Sequence, residues 1–232
     1  MQYQGGKSRQ SKVFAPPLVE SLKRGKALWV EPFVGGFNLL PRVSEHVAWA
    51  VCSDIHPGLI KMYRCLQNGW IPPEVVTEED YYILKEKRDW DNPTSAFAAF
   101  GCSFGGKEWG GYARSSGTDY YSRRARSSLL KKAPHMVGVE FRCLPYNQLE
   151  IPEGATIYCD PPYANTTEYR TERFDTGGFL KWAKEASSTS EVFVSEYVIP
   201  DGWEVAACVA LQVPLNTKDR SARASEYLAR VR

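Results

Sequence analysis

A chain of 232 residues, 43% apolar and 24% charged, has the composition of a globular protein with room for one large domain or a core carrying an insert. Its 29 basic and 27 acidic residues leave a net charge of +2, too small to name a partner, so the distribution of charge matters more than its sum. None of the six cysteines forms a C-x-x-C, the three histidines are scattered, and no leader or long apolar run stands out, which argues against a zinc site, a membrane span or secretion and for a cytoplasmic, metal-free protein with reduced thiols.

In chain order, residues 1–12 are polar and contain Gly5 and Gly6, and Leu18–Leu22 reads as a helix. Ala27–Phe33 reads as a first buried strand running into Val34-Gly35-Gly36-Phe37-Asn38, a glycine turn that leads into a helix. Such glycines let a backbone approach a ligand closely. A second strand over 46–53 ends at Asp54, about 20 residues beyond Gly35, the spacing of a carboxylate that binds ribose hydroxyls. Asp54 or Ser53 could also simply cap the helix predicted at 55–66. The spacing suits a dinucleotide or S-adenosylmethionine, but a full G-x-G-x-x-G is absent: Phe37 stands where the second glycine belongs. Pro72-Pro73 breaks the chain, and 78–88 is a further predicted helix.

From Asn92 to His135 the character changes. Phe100–Tyr112 is too rich in glycine and aromatics for a regular helix or a central strand, and loops of that kind often carry recognition. Residues 107–132 hold seven basic residues (Lys107, Arg114, Arg123, Arg124, Arg126, Lys131 and Lys132) against Glu108 and Asp119. Interleaved with Trp109 and Tyr112, they suit a phosphate backbone and exposed bases, although a solvated charged face is the plainer reading of any one run. Residues 125–133 read as a basic helix, and 218–232 as a second basic stretch.

Strands resume at 137–143 and 155–159, followed by a helix over 178–186 and strands over 191–195 and 205–213. Strand and helix alternate on both sides of the irregular segment, which predicts an α/β sandwich with a mostly parallel sheet. The strand Ile157–Cys159 stops at Asp160-Pro161-Pro162-Tyr163. Open α/β sheets place ligands at this end of a strand. Prolines stiffen the turn and restrict the residues before them. A carboxylate and a rigidly aimed carbonyl can accept hydrogen bonds from an exocyclic NH2, localise its lone pair and point it at a methyl donor. Tyr163 supplies a flat face on which a base can stack. The bland alternative is a strand followed by a proline turn, with Tyr163 as packing.

Four segments in order resemble the Dam-like (D12 class) DNA adenine-N6 methyltransferases, particularly their shorter phage-borne members. They are Tyr3-Gln4-Gly5-Gly6-Lys7, Glu31-Pro32-Phe33-Val34-Gly35-Gly36, Asp160-Pro161-Pro162-Tyr163 and Val194-Ser195-Glu196-Tyr197. The resemblance implies a Rossmann-like, S-adenosylmethionine-dependent sandwich with an inserted target-recognition region. Residues 1–91 and 136–232 would form the catalytic core, and 92–135 the insert. It assigns Tyr3, Gly6, Lys7, Phe33, Gly35, Gly36, Asp54, Ile55, Tyr146 and Asp160 to the cofactor, and Asp160, Pro161, Pro162 and Tyr163 to catalysis. Lys107, Trp109, Tyr112, Arg114, Arg123, Arg124 and Arg126 fall to duplex DNA, by phosphate contacts and readout of base edges around a flipped adenine. A monomer or weak dimer is expected.

Two positions depart from the family pattern. Phe37 replaces a usual glycine and needs a compatible φ and a place for its ring, which could cover the methionine end of the cofactor. Pro145-Tyr146 replaces an acidic–aromatic pair. Rival readings are methylation of RNA or a protein amide nitrogen, and a DNA-binding relative without activity.

Overall fold

The computed structural model describes residues 1–114, 120–162, 174–210 and 225–232. The expected stacking residue Tyr163 lies outside them. Seven strands form a mostly parallel sheet: β1 (Leu28–Glu31), β2 (Trp49–Ser53), β3 (Val139–Arg142), β4 (Thr156–Cys159), β5 (Glu191–Glu196), β6 (Glu204–Ala210) and β7 (Ser225–Arg230), in the order β3-β2-β1-β4-β5-β7-β6. β1 pairs parallel with β4, Trp29 opposite Thr156, and β4 pairs parallel with β5. β7 runs antiparallel to both β5 and β6. Seven α-helices join α1 (Ser11–Arg24), α2 (Leu40–Val43), α3 (Pro57–Gln67), α4 (Glu78–Lys87), α5 (Pro93–Ala96), α6 (Tyr121–Lys132) and α7 (Thr176–Ala186) to these strands among the described residues. The alternating α/β reading holds, and the fold is a Rossmann-like sandwich built on a mostly parallel sheet.

The chain divides into two compact units, each discontinuous in sequence. The first comprises residues 1–7, 34–41 and 52–144; the second comprises 8–33, 42–51 and 145–232. In the second unit, Val30, Val51, Ile157, Val192 and Val194 meet Phe179 and Ala183 of α7 in one apolar core. Continuous apolar runs in β1, β4 and β5 suit strands buried on both faces. Helix α1 starts well before the predicted 18–22, because Phe14, Leu18 and Leu22 recur every four residues and are all buried, with Pro16 and Pro17 held inside the helix. Its Ser21 hydroxyl lies 2.7 Å from the Thr156 hydroxyl of β4.

In the first unit the segment read as irregular is more ordered than its composition suggests. α5 runs directly into a π-helical turn, Phe97–Gly101, whose residues are all buried. The following chain doubles back: Ser103 bridges Tyr112, and the Phe104 amide donates to Gly111 O at 2.9 Å. α4 begins with a reciprocal cap between Thr77 and Asp80. No helix among the described residues is long and apolar enough to cross a membrane.

Candidate active site

The glycine turn after β1 is held from several sides within the first unit. Val34 donates its amide to Ser53 O at 2.8 Å, and Gly35 donates its amide to Asp54 Oδ2 at 3.0 Å. The Tyr63 hydroxyl donates to Gly35 O at 2.5 Å. Gly35 has φ +42°, and a Cβ there would lie 2.8 Å from the Tyr3 ring, so the position accepts neither a left-handed L residue cheaply nor extra volume. Tyr3 is thereby packed on the turn. Gly6 closes a tight bend, its amide donating to Tyr3 O at 2.9 Å, and a Cβ there would sit as close to that oxygen. Lys7 is buried, 4% exposed, and its ammonium donates to Gly5 O at 3.0 Å.

Asp54 is not the cap of α3. That role falls to His56, whose Nδ1 accepts from the Leu59 amide at 3.2 Å. Asp54 instead accepts the His56 amide on Oδ1 at 2.9 Å and the Gly35 amide on Oδ2. Ile55, next in the chain, is 57% exposed. Phe37 takes a left-handed φ of +52° and its ring is wholly buried against Tyr63 and Phe141, with centroids 5.8 Å from each. The ring therefore packs inside the unit, and the alternative that it covers a ligand does not hold.

In the second unit, Phe33 follows β1, and Asp160 follows β4. Because the two strands are parallel neighbours with Val30 opposite Ile157, these residues emerge at the same end of the sheet. Asp160 is partly buried, Pro161 buried and Pro162 exposed. Burial, with the Asp160 charge as the next contribution, holds the Cys159 thiol and the Tyr158 phenol well above their usual ranges, so both stay neutral beside the carboxylate. Phe33 and Tyr146 meet at 5.6 Å, and both meet Phe179, at 5.6 and 5.4 Å. Trp182 stands 5.1 Å from Tyr146. Sequence reasoning found Phe33 and Tyr146 but missed Phe174, Phe179 and Trp182. The recurrence of Phe179 and Trp182 three residues apart on one helix face was the available signal.

The residues expected to hold DNA divide into two kinds. On α6, Arg123, Arg124, Ser127, Ser128, Lys131 and Lys132 line one open concavity. Arg123 pairs with Glu74 at 3.2 Å, and Arg124 lies over the Tyr121 ring at 5.6 Å. Arg114 pairs with Glu78, and both side chains are well exposed. Lys107 is half-buried. Others serve the packing. Arg126 donates to Pro72 O at 2.9 Å and the Tyr112 hydroxyl to Val76 O at 2.9 Å. Trp109 is 6% exposed, at 5.3 Å from Tyr81 and stacked 5.9 Å from Trp90, so it offers no open face to a base.

A family model for the D12 class N6 adenine-specific DNA methyltransferases matches residues 3–188. The chain belongs to that family. No curated protein matches it. Membership makes the chain a methyltransferase of DNA adenine N6, and the matched span takes in the glycine turn, Asp54, the basic segment and the Asp160 turn of this D12 enzyme.

Proposed function

We propose that this D12 methyltransferase moves a methyl group from S-adenosylmethionine to N6 of an adenine turned out of duplex DNA at a specific sequence. The observation that carries the reading is the placement of Asp160 at the carboxyl end of β4, beside the strand whose carboxyl end feeds the glycine turn. The residues fit the cofactor. In the first unit, Asp54, fixed by two backbone amides, suits vicinal ribose hydroxyls, Ile55 offers an exposed apolar face, and Tyr3, Gly6, Lys7, Gly35 and Gly36 suit a close backbone approach to the amino-acid end; in the second, the paired rings of Phe33 and Tyr146 suit a planar base.

S-adenosylmethionine would supply an electrophilic methyl on a sulfonium. The chain's own part is to orient the nucleophile. Asp160 accepts one N6 hydrogen, the Pro161 carbonyl accepts the other, and the lone pair is directed outward. With the cofactor bound, transfer would form the N6–C bond as the sulfonium S–C bond is released with its electron pair to sulfur, and Asp160 or water would take the departing N6 proton. Tyr163 stacks on the extruded base, and α6 with Arg114 binds phosphates. Flipping costs a few kcal/mol, repaid by stacking of about 1–3 kcal/mol and by the amino contacts.

Labelled S-adenosylmethionine offered with duplex DNA, RNA or protein extract tests the substrate, and sequencing that detects N6-methyladenine identifies the site. Label is expected on DNA alone. Asp160→Ala is expected to lower turnover by about 10²–10³-fold or more with cofactor binding partly kept. Turnover like wild type in that variant, or label on RNA or protein only, would refute the reading.

A further inference from the structure

Lys132 stands in the most basic run of the sequence and reads there as one more phosphate contact. The geometry points to a different role: Lys132 is a positioning residue of the glycine turn, and α6 reaches the cofactor site through it. Its Nζ donates to Gly36 O at 2.6 Å and to Asn38 Oδ1 at 2.8 Å. This inference rests on the reading of that turn as the S-adenosylmethionine site.

The turn needs such a brace. Gly35 and Phe37, flanking Gly36, both have positive φ, and a bulky residue in the left-handed region is disfavoured by roughly 1–2 kcal/mol. A conformation of that kind persists only where its surroundings over-determine it. The Gly35 carbonyl is met by Tyr63 and the Gly36 carbonyl by Lys132. Asn38 extends the effect. Its Nδ2 lies 2.7 Å from where a Gly36 Cβ would sit and 3.2 Å from that of Gly6. One ammonium therefore fixes the turn and, through Asn38, the N-terminal glycine bend that packs on it. Lys131, the preceding residue, is exposed and lacks this geometry. Both lysines border the open concavity, but the Lys132 ammonium is committed to Gly36 O and Asn38 Oδ1, which leaves the exposed Lys131 to phosphates.

Titration calorimetry with S-adenosylmethionine, with KM values for cofactor and duplex and the salt dependence of DNA binding, tests the assignment in wild type, Lys132→Met and Lys131→Met. Lys132→Met should weaken cofactor affinity roughly tenfold, the scale of a lost charge-assisted hydrogen bond, and raise the cofactor KM while leaving the salt slope unchanged. Lys131→Met should do the reverse, lowering the salt slope by about one with cofactor affinity intact. If Lys132→Met binds cofactor like wild type, or loses DNA affinity and salt slope instead, the inference is overturned alone. If wild type binds no cofactor, the cofactor reading falls with it. Should the variant not fold, lysine acylation of wild type read by mass spectrometry decides. Lys131 should react fast and be protected by duplex, and Lys132 slowly with or without DNA; equal rates for both, with DNA protection of both, would overturn it.

Discussion

Phe37 and Trp109 are the two aromatic residues of the described chain with positive φ, at +52° and +48°, and each sits in a glycine-rich stretch that sequence reading assigns to a ligand. Both turn their rings inward. They differ in what holds them. Around Phe37 the backbone is met by polar groups, Asp54, Tyr63 and Lys132, while the ring packs on Tyr63 and Phe141. Around Trp109 the backbone is met by the Ala99 carbonyl at 3.0 Å and by Lys85, which donates to Trp109 O at 3.2 Å, but the ring is enclosed by Tyr81 and Trp90 and its indole N–H is buried without a partner among the described residues. One bend is organised to present its backbone; the other is a plug that gives the segment a core of its own.

The largest expected effects come from removing the plugs. Phe37→Ala and Trp109→Ala should each lower stability by about 3–5 kcal/mol, measured by denaturant unfolding. Only Phe37→Ala should also weaken cofactor binding, because it loosens the turn. A Trp109→Ala variant with unchanged stability and lost DNA affinity would reverse the contrast and restore Trp109 to the DNA. Two glycines of the second stretch sharpen it further. Gly106 has φ +68°, and a Cβ would lie 2.6 Å from the Tyr3 backbone nitrogen; Gly111 has φ +100° with open space around it. Gly111→Ala should cost only its backbone strain, about 1–2 kcal/mol, and Gly106→Ala clearly more, since Tyr3 must shift. Equal melting shifts would mean that the Tyr3 contact contributes nothing.

The smallest effect is chemical. Burial pushes the Cys102 thiol up to about 12, and Cys159 is also raised by burial, so at pH 8 both remain protonated and enclosed. Cys143 is raised by partial burial and then by the Asp54 charge. A thiol reagent at pH 8 should therefore modify exposed Cys208 first, Cys143 more slowly, and Cys102 and Cys159 only on unfolding. Raising the pH should close the gap between Cys143 and Cys208. Early labelling of Cys102 would show the second stretch opening more readily than its packing implies.

Much of this architecture was legible because buried parallel strands leave unbroken apolar runs, as in Leu28–Val30 and Val192–Val194. Asp54 and Asp160 were legible because each follows such a run directly. β7 was missed: its Ser225–Arg230 segment carries Glu226 and Arg230 inside a basic stretch, which hid the buried Glu226, Leu228 and Ala229. Glu226 is tolerated inside because Ser195 and Gln10 donate to its carboxylate at 2.7 Å each. The inward turn of Trp109 was illegible for a related reason. Glycines report where the backbone is free to bend, not which way a neighbouring ring will point. Lys132 was hidden by its company, since one cation in a run of cations carries no mark of its partner.

The outermost strand of the sheet, β6, is mostly exposed, with Val205 half out in solvent, yet its register against β7 slips between Val205 and Ala207. A straight border of unmet amides and carbonyls recruits strands from other molecules and seeds polymerisation. The slip interrupts that repeat and coils the border, so a second copy finds no continuous rail to zip along. The border therefore closes this sheet rather than offering itself for extension by a neighbouring molecule.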